Sequence, residues 1–344
     1  MKILLTGGAG FIGSNFLIHA IKAGYEVVNV DVLTYAGNLN NLEDYKNHPG
    51  HHFYQENICN TENIKTIFQH HKPDVVLHMA AESHVDRSID CPDPFIETNI
   101  LGTYSMLEAS LDYYKSLSDQ SRFRFIHLST DEVFGALGME EKFSETSPYR
   151  PNSPYAASKA SSDLLVRSYF KTYNFPTVIV NASNNYGPRQ YAEKLIPLII
   201  LNAIEHKPLP LYGNGLQVRD WLYVEDHVDA LSLLIEKGKV GESYCIGAEN
   251  EFTNLSLVNK ICDILDAIYP SSKLDSYKDL ITFVTDRPGH DFRYATDASK
   301  LKTLGWQPKT DLDEGLEKTV RWYLACYTKG GHSQNNRIRI GLGK

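Results

Sequence analysis

The chain has 344 residues, 42% hydrophobic and 22% charged, which is enough for a packed core in one large domain or two intimately joined ones. Its formal net charge of −8 argues against a nucleic-acid surface. Five scattered cysteines, never in a C-x-x-C pair, suggest neither disulfides nor zinc and fit a reducing cytoplasm, and no leader-like start or long apolar run predicts secretion or membrane spanning.

In chain order, Ile3-Leu4-Leu5 predicts a strand, Phe11 to Lys22 a helix, and Val27 to Val30 a second strand. Further strands are expected at His52 to Gln55, Val75 to Leu77, Phe125 to Leu128 and Val178 to Val180, with helices at about 61–70, 94–116 and 154–172. Short apolar strands alternating with longer amphipathic helices predict the α/β class, a doubly wound parallel sheet covered on both faces. Beyond Asn185, Pro and Gly become frequent, elements shorten and no new β-α-β series starts, which predicts a smaller α/β lobe. Trp221 to Ile235 and the strand Tyr244-Cys245-Ile246 are expected to return to the first domain. The division is therefore 1–183 for the cofactor, with returns at about 219–247, a substrate lobe over 184–330, and a flexible tail over 331–344. The pairs His51/His52 and His70/His71 are sequence neighbours, so neither pair shares a face and no metal site is expected.

The first strand runs into Thr6-Gly7-Gly8-Ala9-Gly10-Phe11-Ile12-Gly13, which fits both G-x-G-x-x-G and G-x-x-G-x-x-G. Between a strand and a helix, these glycines permit a tight turn and close approach to a pyrophosphate, and the helix offers its positive end to the anion. The second strand ends in Asp31, placed to accept bonds from a ribose 2′-hydroxyl and to repel a 2′-phosphate. The expectation is a Rossmann site selecting NAD over NADP.

Tyr155 and Lys159 are four apart on one predicted helix face, where a cation beside a phenol, together with a nicotinamide charge, makes Tyr155 a usable base. At the end of the strand Phe125 to Leu128, Thr130-Asp131-Glu132 puts two carboxyl groups where open α/β sheets bind ligands. An acid beside a base suits elimination of water, because one carboxyl can stay protonated while its neighbour is ionised.

With Gly7, Gly10, Gly13, Tyr155 and Lys159 so placed, the chain resembles the extended short-chain dehydrogenase/reductase family, which acts on nucleotide sugars, over almost its whole length. Ser129-Thr130-Asp131-Glu132-Val133-Phe134-Gly135 is similar to the S-T-D-E-V-Y-G of that family's dTDP-glucose 4,6-dehydratase branch, departing at Phe134. Ala80 to Ser88 resembles the same branch's A-A-E-S-H-V-D-R-S. The resemblance implies Thr130, Asp131, Glu132, Tyr155 and Lys159 as catalytic. It implies a cofactor site of Gly7, Gly10, Phe11, Ile12, Gly13, Asp31, Thr34, Asn57, Ile58, Ala80, Ala81 and Asn185, with Tyr155 and Lys159. Asn57 stands where the family usually has an Asp at the adenine, so only a small affinity change is expected. It implies substrate contacts at Ser83, Thr130, Asn184, Glu193, Lys194, Leu195, Pro210, Tyr212, Arg219, Asn254, Arg287 and His290. Arg219 and Arg287 make sense as diphosphate clamps, the alternative being surface pairs with Asp220 or Asp286.

The activity so implied is dehydration of dTDP-glucose to dTDP-4-keto-6-deoxyglucose: C4 oxidation, C5/C6 water elimination, and hydride return to C6 from bound NADH. It implies a place in deoxysugar biosynthesis, that of dTDP-rhamnose included. A UDP-glucose 4,6-dehydratase or a C4 epimerase is the enzymatic alternative, against which the Asp131-Glu132 pair speaks in the epimerase case. A non-enzymatic NAD-sensing regulator would be expected to have lost Tyr155 or Lys159. The family further implies a homodimer through the helices at about 94–116 and 154–172, with a small-molecule nucleotide sugar and neither membrane nor nucleic acid as partner.

Overall fold

The computed structural model describes residues 1–328; the tail assigned to 331–344, with Arg337 and Arg339, lies outside the described residues. Seven parallel strands form the main sheet: β1 (Lys2–Thr6), β2 (Glu26–Asp31), β3 (His51–Gln55), β4 (Val75–His78), β5 (Arg124–Thr130), β6 (Thr177–Ala182) and, out of chain order, Ser243–Ile246. Their spatial order is Ser243–Ile246, β6, β5, β4, β1, β2, β3. The order reverses direction beside β1, the switch point that opens a crevice at the strands' carboxyl ends.

Side chains alternate along β1, so Ile3 and Leu5 enter one core and Leu4 the other. The first core is covered by α1 (Phe11–Lys22), and the second by α2 (Thr61–His71), α5 (Thr103–Ser116) and α6 (Pro154–Tyr173), with α3 (Val85–Asp90) and α4 (Asp93–Phe95) packed against α6. The expected helix over 94–116 is not uniform: Ile96–Gly102 between α4 and α5 is a π-helix, a wider coil that α-helical periodicity does not signal. Ser153 caps α6 by accepting from Ala156 N at 3.1 Å, Pro154 sits at its first position, and Asn174 ends it at φ 52°.

The second lobe has β7 (Asn184–Tyr186), α7 (Leu195–Ile204), β8 (Leu209–Tyr212) and β9 (Val218–Tyr223). The chain then crosses back as α8 (Val224–Lys237), which packs on α1, and β10 (Ser243–Ile246), which pairs with β6. Next come β11 (Glu251–Thr253), α9 (Asn254–Ile268), β12 (Ile281–Val284), α10 (Ser299–Lys302) and α11 (Leu312–Thr328). β9 pairs with β7 and β11 rather than with the main sheet. It is the seam between the cores: Leu222 faces the first, Trp221 and Tyr223 the lobe's. The expected shortening of elements fails at α9 and α11, with 15 and 17 residues, whose apolar faces close the lobe over β9.

One member of each histidine pair meets an acid at the far end of the sheet: Glu26, His52 and His71 bring ligand atoms within 4.8 Å of one another. Adjacent residues do not share a face, but residues on neighbouring elements can. Lys2 Nζ holds Glu26 Oε1 at 2.8 Å and the Tyr54 hydroxyl meets His71 Nε2 at 2.7 Å, so these groups already have partners.

Candidate active site

The glycine turn leaves β1 and enters α1 at Gly10, whose cap position carries no side-chain hydrogen bond. A Cβ at Gly7, at φ +76°, would stand 2.9 Å from the Ala80 backbone, and one at Gly13 would stand 2.2 Å from the Gly7 carbonyl. Only glycine lets the turn lie against Ala80 and the helix start lie against the turn, the close-packed cradle that fits an NAD-type pyrophosphate. Thr6 Oγ1 ties this turn to the end of β4 by accepting from Met79 N and Ala80 N at 3.1 and 3.0 Å.

Asp31 is buried at the end of β2, where its carboxylate accepts from Ala9 N and Leu33 N, both at 2.9 Å. It therefore braces the glycine turn, and its remaining lone pairs can still accept a ribose hydroxyl. Burial raises its pKa and the two backbone donors oppose this. Thr34 lies exposed in the following loop, Asn57 accepts from Cys59 N at 2.9 Å, and Ile58 is buried beneath it. Asn185 is engaged by Ser183 O and His227 Nδ1 at 2.9 and 2.8 Å, so its side chain shapes the base of the crevice.

At the carboxyl end of β5, Thr130 caps a 3-10 turn over Asp131–Phe134, its Oγ1 accepting from Glu132 N at 3.3 Å. Asp131 turns inward to Thr296 Oγ1 at 3.3 Å, and Glu132 lines the cleft. Burial, then the charges of Glu132 and Asp220, pushes Asp131 up to about 8, and burial also raises Glu132, against three cations, Arg287, Arg219 and Lys194. What sets the adjacent carboxyls apart is their neighbours, like charges at Asp131 and cations at Glu132.

Tyr155 is positioned by its backbone N–H, which donates to Ser88 Oγ at 3.1 Å, and by its ring, edge-on to Phe95. Lys159 Nζ donates to the Leu128 carbonyl at 2.8 Å. Burial lowers Lys159 to about 8 and raises Tyr155, with Glu132 adding to the rise and the Thr130 hydrogen bond opposing it. Burial thus opposes the Tyr155 phenolate, and the Thr130 hydrogen bond favours it.

Between the domains lies a cleft of about 790 Å³. Ser83, Asn184, Glu193, Lys194, Leu195, Pro210, Tyr212, Arg219, Asn254, Arg287 and His290 all line it; Thr130 lies behind Glu132 and does not. Neither guanidinium pairs with the acid beside it in sequence, although the Arg287 backbone N–H donates to Asp286 Oδ1 at 2.8 Å. Arg219 donates to the carbonyls of Val218, Asp291 and Phe292 and lies 4.3 Å above the Tyr294 ring, while Arg287 Nη1 holds the buried Asp86 at 2.9 Å. The Tyr212 hydroxyl donates to the other Asp86 oxygen at 2.7 Å. Lys194 donates to the Ser83 carbonyl, and Arg87 Nε to Glu193 Oε2 at 3.2 Å, joining the two sides of the cleft. His84, Asp86, Trp221 and Tyr294 also line it. The first three fall inside segments read from sequence but were given no role, and Tyr294 carries no local signal.

Comparison with known proteins bears on this geometry. The family model described as GDP-mannose 4,6 dehydratase matches residues 4–319. A Salmonella typhimurium dTDP-glucose 4,6-dehydratase is 54% identical, covering 94% of this chain and 93% of its own. Among solved structures, a Bacillus anthracis dTDP-glucose 4,6-dehydratase in complex with NAD is 44% identical, with a TM-score of 0.84 and coverage of 94% and 97%. A Streptomyces venezuelae dTDP-glucose 4,6-dehydratase with NAD and dTDP bound is 40% identical, with a TM-score of 0.87 and coverage of 96% and 98%.

Proposed function

The chain belongs to the dTDP-glucose 4,6-dehydratase family, within the extended short-chain dehydrogenases/reductases, and we propose that its cleft converts dTDP-glucose to dTDP-4-keto-6-deoxyglucose with the residues described above. The observation that carries the assignment of roles is the placement of the two carboxyls at the end of β5, Asp131 turned inward to Thr296 and Glu132 lining the cleft. NAD, which the glycine cradle and Asp31 would hold, would supply a hydride acceptor for C4 and a hydride donor for C6. Tyr155, assisted by Lys159 and Thr130, removes the C4 hydroxyl proton. The resulting ketone acidifies the C5 proton, which Glu132 takes while Asp131 donates a proton to the departing C6 hydroxyl, releasing water; a proton returns to C5 as hydride reaches C6. Each such proton transfer contributes roughly 10²–10⁴ in rate.

Arg219 and Arg287 are assigned to the diphosphate, because both line the cleft from the lobe, Arg219 buried and Arg287 half-buried. Residues 1–183 with α8 and β10 hold the cofactor, and the rest of 184–328 the nucleotide sugar. Ile96, Leu101, Tyr104 and Leu164 are 46%, 52%, 46% and 56% exposed on two neighbouring helical segments, an apolar face that supports a homodimer formed there. The five free cysteines support a cytoplasmic setting, and no described helix is long and apolar enough to cross a membrane. Mass spectrometry of the products from dTDP-glucose and UDP-glucose tests the assignment: preferential loss of water from dTDP-glucose is expected, and preference for UDP-glucose or a change at C4 alone would overturn it.

A further inference from the structure

Tyr155, Lys159 and Asp163 are spaced four apart along α6 and so share one helix face. Asp163 is buried, and its Oδ2 accepts from Ser129 Oγ at 2.8 Å, the Tyr149 hydroxyl at 2.9 Å and Asn181 Nδ2 at 3.2 Å. Asn181 Nδ2 also reaches the Thr130 carbonyl at 3.2 Å, tying this cluster to the strand end that presents Asp131. Its Oδ1 has His127 Nε2 at 3.2 Å yet accepts no well-formed hydrogen bond among the described residues. A buried carboxylate so placed is costly unless a cation compensates it.

His127 does not supply that cation, because burial and the Lys159 charge push it down to about 4, leaving it neutral at physiological pH. His78, facing from β4, is likewise lowered by burial. The other groups around the pair are Tyr155 on α6, Tyr149 from the preceding loop, Asn181 from β6, and Asp131 and Glu132 on the cleft side. Lys159 is a buried cation of this interior, and among the described residues its one hydrogen bond is to the neutral Leu128 carbonyl. Burial lowers Lys159, and the charge that opposes this is that of Asp163.

We propose that Asp163 is a positioning residue whose buried carboxylate is the counter-charge of Lys159, keeping that side chain an ammonium one helical turn from Tyr155 while the C4 proton is removed. The inference rests on assigning Tyr155 and Lys159 to that step. A scaffold role alone would need the three hydrogen bonds but not the charge.

The test is the holoprotein carrying Asp163→Asn, with C4 oxidation followed on rapid mixing by NADH absorbance across pH. The alkaline limb is expected to move to lower pH, each unit of movement costing about tenfold in rate above the limb. Tyr149→Phe, which removes a neutral donor only, should leave the limb in place. Superimposable limbs for Asp163→Asn and the parent would overturn the proposal. A second readout is stability to urea. Lys159→Met leaves Asp163 uncompensated, so adding Asp163→Asn should recover stability, whereas additive losses would contradict a charge pair. If Asp163→Asn alone does not fold, recovery of folded protein in the double variant supports the pair and its failure overturns it. Intact C4 oxidation in Tyr155→Phe and Lys159→Met would instead overturn the assignment of the step, while the stability cycle would still report on the pair.

Discussion

Asp131 and Glu132 are consecutive residues at the end of β5, yet Asp131 points into the interior toward Thr296 and Asp220 while Glu132 faces Arg287, Arg219 and Lys194 across the cleft. Burial and like charges raise the first, and burial raises the second against three cations. In the proposed roles the carboxyl turned inward is the acid and the one on the cleft is the base.

Replacing Asp131 by Asn or Glu132 by Gln keeps shape and removes the proton function. Each should slow water loss by roughly 10²–10⁴ while C4 oxidation falls far less. Rapid-quench product analysis beside NADH absorbance separates the steps, and normal dehydration in both variants would refute the roles.

The elimination step should weaken as pH rises through about 8, where Asp131 gives up its proton. The linkage to stability has the same sign. A carboxyl raised above its ordinary 3.8 holds its proton more tightly in the folded chain, so its contribution is full below that value and is lost as pH climbs toward about 8. Urea melts across this range should show the decline in the parent and a flatter profile in Asp131→Asn.

Asp31→Ala removes both the ribose acceptor and the partner of Ala9 N–H. A charge-assisted bond of this kind is worth roughly 1.5–3 kcal/mol, about ten- to a hundredfold in NAD affinity. Titration with NAD and NADP should show the first weakened and the discrimination between them reduced.

Arg287→Ala leaves Asp86 buried with the Tyr212 hydroxyl as its remaining donor among the bonds described above. Breaking such a pair costs about 3–5 kcal/mol. Thermal unfolding should drop and KM for the nucleotide sugar rise, with Asp86→Asn in the same chain restoring stability but not KM.

Leu164→Glu, on the exposed apolar face of α6, should yield monomers by analytical ultracentrifugation while the fold is retained. An unchanged sedimentation coefficient would place the interface elsewhere.

Local patterns reveal the Rossmann half and the chemistry because both are written in short segments: a glycine turn between a strand and a helix, Asp31 one strand later, Tyr155 and Lys159 one helical turn apart. What they hide depends on contacts between distant segments. The Arg287 partner is Asp86, 201 positions away, and no spacing rule predicts it. β9 looks from its apolar run like a return to the first domain, but that run serves two cores at once, with Leu222 on one side and Trp221 and Tyr223 on the other. Ile96–Gly102 reads as plain α-helix because periodicity does not distinguish a π segment. Tyr155 shows the limit in electrostatics: its helical spacing to Lys159 is legible, whereas the burial that raises its phenol is a property of the folded surroundings.

The most direct test of the central claim is anaerobic turnover of dTDP-glucose by the purified holoprotein with no NAD added, following product by mass spectrometry and NADH by absorbance. Product in many-fold excess over protein with no net NADH is predicted, since the hydride taken from C4 returns to C6. NADH accumulating mole for mole with product would contradict it.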